Sequence, residues 1–139
     1  MNTDRLLAAA RDAVRHCRCP YSGFRVTAVL ESEDGRLFPG VNIENASFGL
    51  TLCAERAAAA RAISSGATGF VRMLVYSPDG TPMPCGACRQ FLAEFCREDF
   101  QVLVAGRDDP PRAYRLGELL PHAFTLAPER TPPRAPEIH

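Results

Sequence analysis

Two short segments of this chain combine cysteines with a glutamate at spacings suited to holding and using a metal ion. They read Cys53-Ala54-Glu55 and Pro84-Cys85-Gly86-Ala87-Cys88. Cys85 and Cys88 are three residues apart, so one helical turn places both thiols on the same side. Each segment stands where we expect a helix to begin, and the positive end of a helix dipole favours the thiolate that binds metal. We therefore expect one Zn²⁺ per chain, held by Cys53, Cys85 and Cys88.

Three protein ligands leave the fourth position of a tetrahedral zinc open, which is the pattern of catalytic zinc sites. A structural zinc would need a fourth ligand, and the spare candidates are Cys17, Cys19, Cys96, His16, His122 and His139. Cys96 lies about two helical turns beyond Cys88, too far to share the metal, and the others have no partner at ligand spacing. By default the three spare cysteines are packed free thiols. A zinc-binding module without catalysis remains the alternative, and it would have no need of Glu55.

Glu55 is a candidate acid–base group beside the metal. A carboxylate two residues from a zinc-binding thiolate can reach the water on the metal, take its proton and pass it on. A hydrolytic reaction at such a metal needs one group that moves protons from the attacking water to the leaving group. The plainer alternative is an acidic residue that the helix dipole favours at an N-terminus.

Two arginines follow the metal-binding cysteines. Arg56 and Arg89 are candidates to donate hydrogen bonds to the sulfurs, and the alternative for each is a surface charge.

The hydrophobic pattern predicts the elements that position these motifs. Apolar spacings of three and four residues indicate helices over 3–17, 51–65 and 86–96, and a short one over 115–120. Strands are indicated over 24–30, 36–43, 70–76, 101–105 and 113–116. Asp34-Gly35 is a hairpin turn signal between the first two strands. Strands separated by helices predict an α/β sandwich with a mixed sheet, in which the hairpin is antiparallel and helix-linked strands are parallel.

Length and composition bound the class of protein. The 139 residues fit one domain, which we place at 1–127, followed by a flexible proline-rich tail at 128–139. Lys plus Arg and Asp plus Glu both number 16, so the basic stripe of a protein that binds long nucleic acid is missing. No apolar run reaches the ~18 residues of a membrane span, and residues 1–15 do not resemble a signal peptide. We expect a cytoplasmic protein with reduced thiols.

The chain resembles the cytidine deaminases, of the homotetrameric type that holds zinc with three cysteines. The resemblance covers about residues 21–124 and rests on five stretches: Pro20-Tyr21-Ser22-x-Phe24-x-Val26, Asn42-Ile43-Glu44-Asn45-Ala46, Cys53-Ala54-Glu55-Arg56, Pro84-Cys85-Gly86-x-Cys88-Arg89-Gln90 and Leu119-Leu120-Pro121-x-Ala123-Phe124. It implies a three-layer α-β-α sandwich with a five-stranded mixed sheet. It also implies zinc-dependent hydrolysis of free cytidine and deoxycytidine to uridine and deoxyuridine, in pyrimidine salvage.

The resemblance assigns further residues to the nucleoside. Asn42 and Glu44 are implied to contact the ribose 3′-hydroxyl, and side chains two apart on a strand do face the same way. The Glu44 carboxylate would also repel a phosphorylated substrate, although a solvent-facing polar pair is the alternative. Phe24 is implied to stack on the base, unless it is a core ring, and the Ala54 backbone to bind the base edge. Phe124 is implied to reach a neighbouring subunit's site, so we expect a homotetramer with shared sites.

Two positions depart from the family's pattern. Thr27 stands where relatives usually have glycine, which predicts local repacking near the base pocket. Phe48 stands where relatives often have tyrosine, so one hydroxyl is missing.

Two alternative substrates are compatible with the same chemistry. Another aminopyrimidine, such as blasticidin S, would fit the zinc motif but not the Asn42–Asn45 segment, and polynucleotide editing is disfavoured by the neutral charge.

Overall fold

A mixed five-stranded sheet forms the centre of the molecule. The computed structural model describes residues 2–126, so the proline-rich segment 128–139 lies outside the described residues. The strands are β1 (Thr27–Ser32), β2 (Leu37–Val41), β3 (Phe70–Ser77), β4 (Gln101–Gly106) and β5 (Arg112–Arg115), in the order β2-β1-β3-β4-β5. Only the β3–β4 pair, which a helix connects, is parallel among these neighbours. The predicted mixed sheet and antiparallel hairpin are confirmed.

Within residues 2–126, four helices cover the two faces of the sheet. They are α1 (Asp4–Ala13), α2 (Ala54–Ser64), α3 (Gly86–Phe95) and α4 (Leu116–Leu119), with single 3-10 turns at Val14–His16 and Phe48–Leu50. The predicted first helix extended to residue 17. Its last turn instead tightens to 3-10 geometry, where Cys17 N donates to Val14 O at 3.1 Å.

The sheet's alternating side chains build two separate cores, which makes the fold a three-layer α-β-α sandwich. On one face, Ala28 and Leu30 pack beneath α2 and α3. On the other face, Val29 packs beneath α1 with Leu6 and Ala10. Because strand neighbours point to opposite faces, β1, β2, β3 and β4 contribute to both cores, whereas β5 contributes Tyr114 to the first core alone.

Thr27 faces the α1 layer and not the substrate side that we expected. Its hydroxyl donates to Ala10 O at 2.9 Å, and the side chain is fully buried. A threonine here satisfies the carbonyl of a residue near the end of α1. The Thr27 hydroxyl therefore links the first helix to the sheet.

Gly40 sets how closely α2 approaches the sheet. A Cβ at this position would lie 2.6 Å from Ala54 O and would also overlap Ala58 N. Both atoms belong to the helix backbone, so neither can swing away. The buried alanines Ala54, Ala58 and Ala62 allow the same close contact from the helix side.

We expect Gly40→Ala to lower the free energy of unfolding by about 1–3 kcal/mol, because the added methyl must push the α2 backbone from β2. Urea unfolding followed by circular dichroism measures this change. Gly49→Ala is the matched control, since a Cβ there meets no atom within 4 Å. Equal stabilities for the two variants would contradict the proposed close contact.

Candidate active site

Three cysteine sulfurs converge where the N-termini of α2 and α3 meet. Cys53 is the residue before α2, Cys85 is the residue before α3, and Cys88 lies in the first turn of α3. Their Sγ atoms all lie within 4.8 Å of one another, and those of Cys85 and Cys88 are 3.5 Å apart. A tetrahedral zinc with Zn–S bonds of about 2.3 Å needs sulfurs roughly 3.8 Å apart. The three thiols therefore fit a zinc ion.

No fourth ligand joins this cluster within residues 2–126. Cys96 is buried in the core behind α3, and Cys17 Sγ donates to Val26 O at 3.3 Å. The alternative of a structural zinc with four protein ligands thus lacks its fourth ligand in the part of the chain that is described. Three ligands and one open position are the arrangement of a catalytic metal.

Glu55 is buried against the sulfur cluster. It is the second residue of α2, its exposed fraction is 4%, and its Oε2 lies 3.8 Å from Cys88 Sγ. Burial raises the pKa of Glu55 to about 6. A carboxylate with such a pKa gives and takes protons readily near neutral pH, as a general acid–base group must.

Arg56 supplies positive charge to the cluster. Its Nη2 lies 3.4 Å from Cys53 Sγ and 3.3 Å from Thr51 O. Hydrogen bonds from Cys88 and from Arg56 lower the pKa of Cys53 to about 5. Cys53 is therefore a thiolate at neutral pH, which is the form that binds metal.

Arg89 donates its hydrogen bonds to backbone carbonyls. The predicted hydrogen bonds to the sulfurs are not found within residues 2–126. The Arg89 Nε donates to Pro84 O and its Nη1 to Leu119 O, both at 2.8 Å. The guanidinium is thus occupied by two backbone carbonyls. Arg89 thereby joins the segment that precedes Cys85 to the end of α4.

Asn42 braces the segment that carries Phe24. Its Nδ2 donates to Phe24 O at 2.7 Å, and its Oδ1 accepts from Val26 N at 3.2 Å. Val26 O also accepts from the backbone N–H of Asn42 at 3.1 Å, so side-chain and backbone bonds together hold residues 24–26, and β1 begins at Thr27 and not at the predicted Phe24. The amide keeps a second N–H and a second lone pair for a ligand.

Glu44 holds the turn just before Phe24. Its Oε1 accepts from Tyr21 N at 2.9 Å and from Ser22 N at 3.1 Å, and its Oε2 accepts from Ser22 Oγ. The hydrogen bond from the Ser22 hydroxyl, followed by those from the two backbone amides, lowers the pKa of Glu44. The carboxylate is ionised at neutral pH and carries its negative charge beside Phe24.

A two-residue bridge connects the Asn42–Glu44 segment to the metal cluster. Ile43 and Leu52 exchange both backbone hydrogen bonds at 2.9 Å. Leu52 directly precedes the ligand Cys53. Its partner Ile43 lies between Asn42 and Glu44, so the bridge brings the backbone of this segment close to that of the metal ligand. The two groups of predicted site residues therefore belong to one region of the molecule.

Phe124 and Phe48 are exposed aromatic residues near this region. The Phe124 ring is 71% exposed, while its carbonyl accepts from Gln90 Nε2 of α3 at 3.1 Å. The Phe48 ring is 75% exposed and meets the Tyr21 ring edge-on, with centroids 5.9 Å apart. Both residues therefore present apolar surface to solvent in the isolated chain.

Sequence reasoning missed Arg25, Asp79 and Gly80. Arg25 forms an ion pair with Asp79, and Gly80 abuts the Phe24 ring. The partners of the pair are 54 positions apart and belong to loops. No local spacing signals such a contact, since only the fold brings the two loops together.

The Arg25 hydrogen bonds hold the pKa of Asp79 at about 2, below its usual 3.8. The stabilisation from this group is therefore present above about pH 4 and is lost as the pH falls towards 2. We expect Arg25→Ala to raise the pKa of Asp79 towards 3.8. Carboxyl-carbon NMR titration measures it, with Asp12 as an internal control, and an Asp79 pKa that stays near 2 would contradict the role of Arg25.

The comparisons with known proteins all indicate the same family. The profile of the family described as "Cytidine and deoxycytidylate deaminase zinc-binding region" matches residues 1–104. The chain is 42% identical over 126 residues to a cytidine deaminase of Halalkalibacterium halodurans, covering 90% of this chain and 96% of that protein. It is 41% identical over 124 residues to a probable cytidine deaminase of Dictyostelium discoideum, covering 88% and 83% respectively.

Solved structures agree with the sequence relatives. The crystal structure of cytidine deaminase from Burkholderia pseudomallei matches with a TM-score of 0.84 and 38% identity, covering 89% of this chain and all of that chain. Cytidine deaminase from Mycobacterium tuberculosis matches with a TM-score of 0.79 and 38% identity, over 91% and 99% of the two chains. The profile match and these relatives, together with the three-cysteine cluster, show that this chain belongs to the cytidine and deoxycytidylate deaminase family.

Proposed function

We propose that this chain binds one zinc ion and hydrolyses free cytidine and deoxycytidine to uridine and deoxyuridine with release of ammonia. The observation that carries the proposal is the cluster of Cys53, Cys85 and Cys88, which has no fourth protein ligand within residues 2–126, beside the buried Glu55. A binding module would not need a carboxylate whose pKa is raised to about 6 at the metal.

Glu55 moves the protons of the reaction. When bound, zinc acts as a Lewis acid that makes water a nucleophile at neutral pH. The Glu55 carboxylate accepts a proton from the attacking water and delivers it to N3 of the pyrimidine. It then transfers the second proton of that water to the amino nitrogen, so that ammonia leaves when the C4–N bond breaks. One group serves both transfers because its pKa of about 6 lies near the working pH.

Substrate selection rests on the segment beside the metal. We infer that the Phe24 ring stacks on the base, the Ala54 backbone binds the base edge, and Asn42 and Glu44 bind the ribose 3′-hydroxyl. The Ile43–Leu52 bridge supports this inference, since the two polar residues flank Ile43, whose partner Leu52 directly precedes Cys53. The ionised Glu44 favours an uncharged nucleoside over its phosphate, because like charges repel.

Exposed apolar residues support an assembly with shared sites. Phe48, Leu50 and Phe124 are all at least 70% exposed in the isolated chain. We propose a homotetramer in which Phe124 contributes to a neighbour's site. Native mass spectrometry tests the tetrameric state directly.

Within residues 2–126, the helices lack the combination of length and apolar composition that a membrane span requires. The free thiols of the metal cluster support a cytoplasmic location, where cysteines stay reduced.

A substrate panel tests the proposed function. Zinc-loaded protein is assayed with cytidine, deoxycytidine, cytosine, cytidine monophosphate and blasticidin S. We expect turnover of the two nucleosides and a kcat/KM at least about 100-fold lower for the free base and the monophosphate. Glu44→Gln should narrow the gap to the monophosphate by removing the negative charge. A preference for cytosine, the monophosphate or blasticidin S would overturn the assignment to free nucleosides.

A further inference from the structure

We propose that Arg25 and Asp79 are positioning residues for the nucleoside, because their ion pair and the Gly80 backbone together fix the Phe24 ring. This inference rests on the proposed function and adds two side chains that do not touch the metal. It concerns the segment 21–26, which bears Phe24, and the loop 78–84 between β3 and Cys85.

The Arg25–Asp79 pair is bidentate and includes the backbone. Arg25 Nη2 donates to Asp79 Oδ1 at 2.7 Å, and Arg25 Nε donates to Oδ2 at 3.0 Å. The backbone N–H of Arg25 also donates to Oδ2, at 2.9 Å. Three donors on one carboxylate fix the direction of approach as well as the distance.

Asp79 is itself fastened to the end of the sheet. Its backbone N–H donates to Ser77 Oγ at 3.0 Å, and Ser77 is fully buried as the last residue of β3. The carboxylate is therefore a fixed point, and Arg25 is the group that is drawn to it. The sheet therefore positions Asp79, and Asp79 positions Arg25 and the segment that bears Phe24.

The pair completes the restraint of Phe24. Phe24 N donates to Ser22 Oγ at 3.0 Å, and Phe24 O accepts from Asn42 Nδ2. Arg25 fixes the next residue, so the backbone is held on both sides of the ring. A Cβ built on Gly80 would lie 2.9 Å from Phe24 Cε2 and 3.1 Å from Cζ, so the ring rests against the glycine.

The position of the pair favours a role in binding over a role in stability. Arg25 and Asp79 have side chains 42% and 26% exposed. Ion pairs at such positions contribute little to folding because water screens them. The loop from Asp79 also leads directly to Pro84 and the ligand Cys85, so the pair sets the distance between the aromatic ring and the metal side of the site.

Steady-state kinetics with cytidine tests the proposal. We expect Asp79→Asn and Gly80→Ala each to raise KM by roughly fivefold and to change kcat by less than about twofold, because only the ring's position changes. The first variant removes charge and the second displaces the ring by contact, so they act independently. Zinc content should stay at one per chain. Asp12→Asn, which removes the partner of exposed Arg15, is the control and should leave KM unchanged.

A double-variant cycle separates positioning from a general structural effect. If the pair acts through Phe24, adding Asp79→Asn or Gly80→Ala to Phe24→Ala should raise KM no further. Independent, multiplying effects on KM would overturn the proposal. A lower kcat or a loss of zinc with unchanged KM would overturn it as well.

A readout without turnover keeps this inference distinct from the proposed function. The chain has no tryptophan, so Phe24→Trp introduces a single fluorescent probe at the ring. Adding Asp79→Asn should make that probe about twofold more accessible to acrylamide quenching, while adding Asp12→Asn should not. Unchanged quenching would overturn the proposal that the ion pair restrains the ring at position 24, whether or not cytidine is the substrate.

Discussion

Replacing Glu55 with glutamine is expected to lower kcat for cytidine by about 10²–10⁴-fold while the protein keeps its zinc. Glutamine has nearly the same shape as glutamate, so it fills the same buried space at the start of α2. It has no carboxylate to accept the proton of the attacking water or to protonate N3. The three sulfur ligands are untouched, so metal binding remains.

The measurement pairs two quantities on one sample. The fall in absorbance as cytidine becomes uridine gives kcat, and elemental analysis gives zinc per chain. Glu33→Gln is the control, because Glu33 is an exposed glutamate of the β1–β2 turn. A Glu55→Gln protein with wild-type kcat would contradict the proton-transfer role. Loss of zinc in that variant would show that Glu55 supports the metal instead.

Replacing Cys85 with alanine is expected to reduce bound zinc from one per chain to nearly none after dialysis, and kcat by more than about 10³-fold. Two thiolates remain, and a tetrahedral site with two protein ligands holds zinc far more weakly. Cys85 is the exposed ligand, whereas Cys88 is fully buried. Truncation at Cys85 therefore opens no core cavity, and the effect reports on the metal alone.

The free cysteine Cys19 provides the matched control for this experiment. It lies outside the metal cluster, so Cys19→Ala should keep one zinc per chain and full activity. Thermal unfolding with and without a chelator adds a second measurement. The chelator should lower the unfolding temperature of the wild type and of Cys19→Ala, because metal binding stabilises the folded state. Full zinc occupancy in Cys85→Ala would contradict the three-cysteine site.

The metal ligands were predictable from sequence because their signals are local. Cys85 and Cys88 share one helical turn, and helix starts concentrate thiolates and acids for reasons that the neighbouring residues already determine. The order of strands and helices was predictable for a similar reason, since apolar periodicity depends on residues a few positions apart. The convergence of Cys53 with the other two was predicted from two cysteine-bearing helix starts, and the fold brings those two starts together.

The contacts of polar side chains were less predictable. Arg89 follows a metal ligand in sequence, yet its hydrogen bonds go to Pro84 O and Leu119 O. Which acceptor a guanidinium finds depends on carbonyls that turns leave free, and these become known only with the fold. Thr27 likewise bonds Ala10 O of a different layer. The Arg25–Asp79 pair unites two loops whose meeting no periodicity encodes.

The Ile43–Leu52 bridge has a consequence for how this protein can be altered. Its two backbone hydrogen bonds close residues 44–51 into a loop whose ends are fixed. Because lengthening a surface loop costs little free energy once its ends are held, insertions between Asn45 and Leu50 should leave the metal ligands in place. Exchange of this loop therefore changes the surface that bears Phe48 and Leu50 without moving the metal ligands.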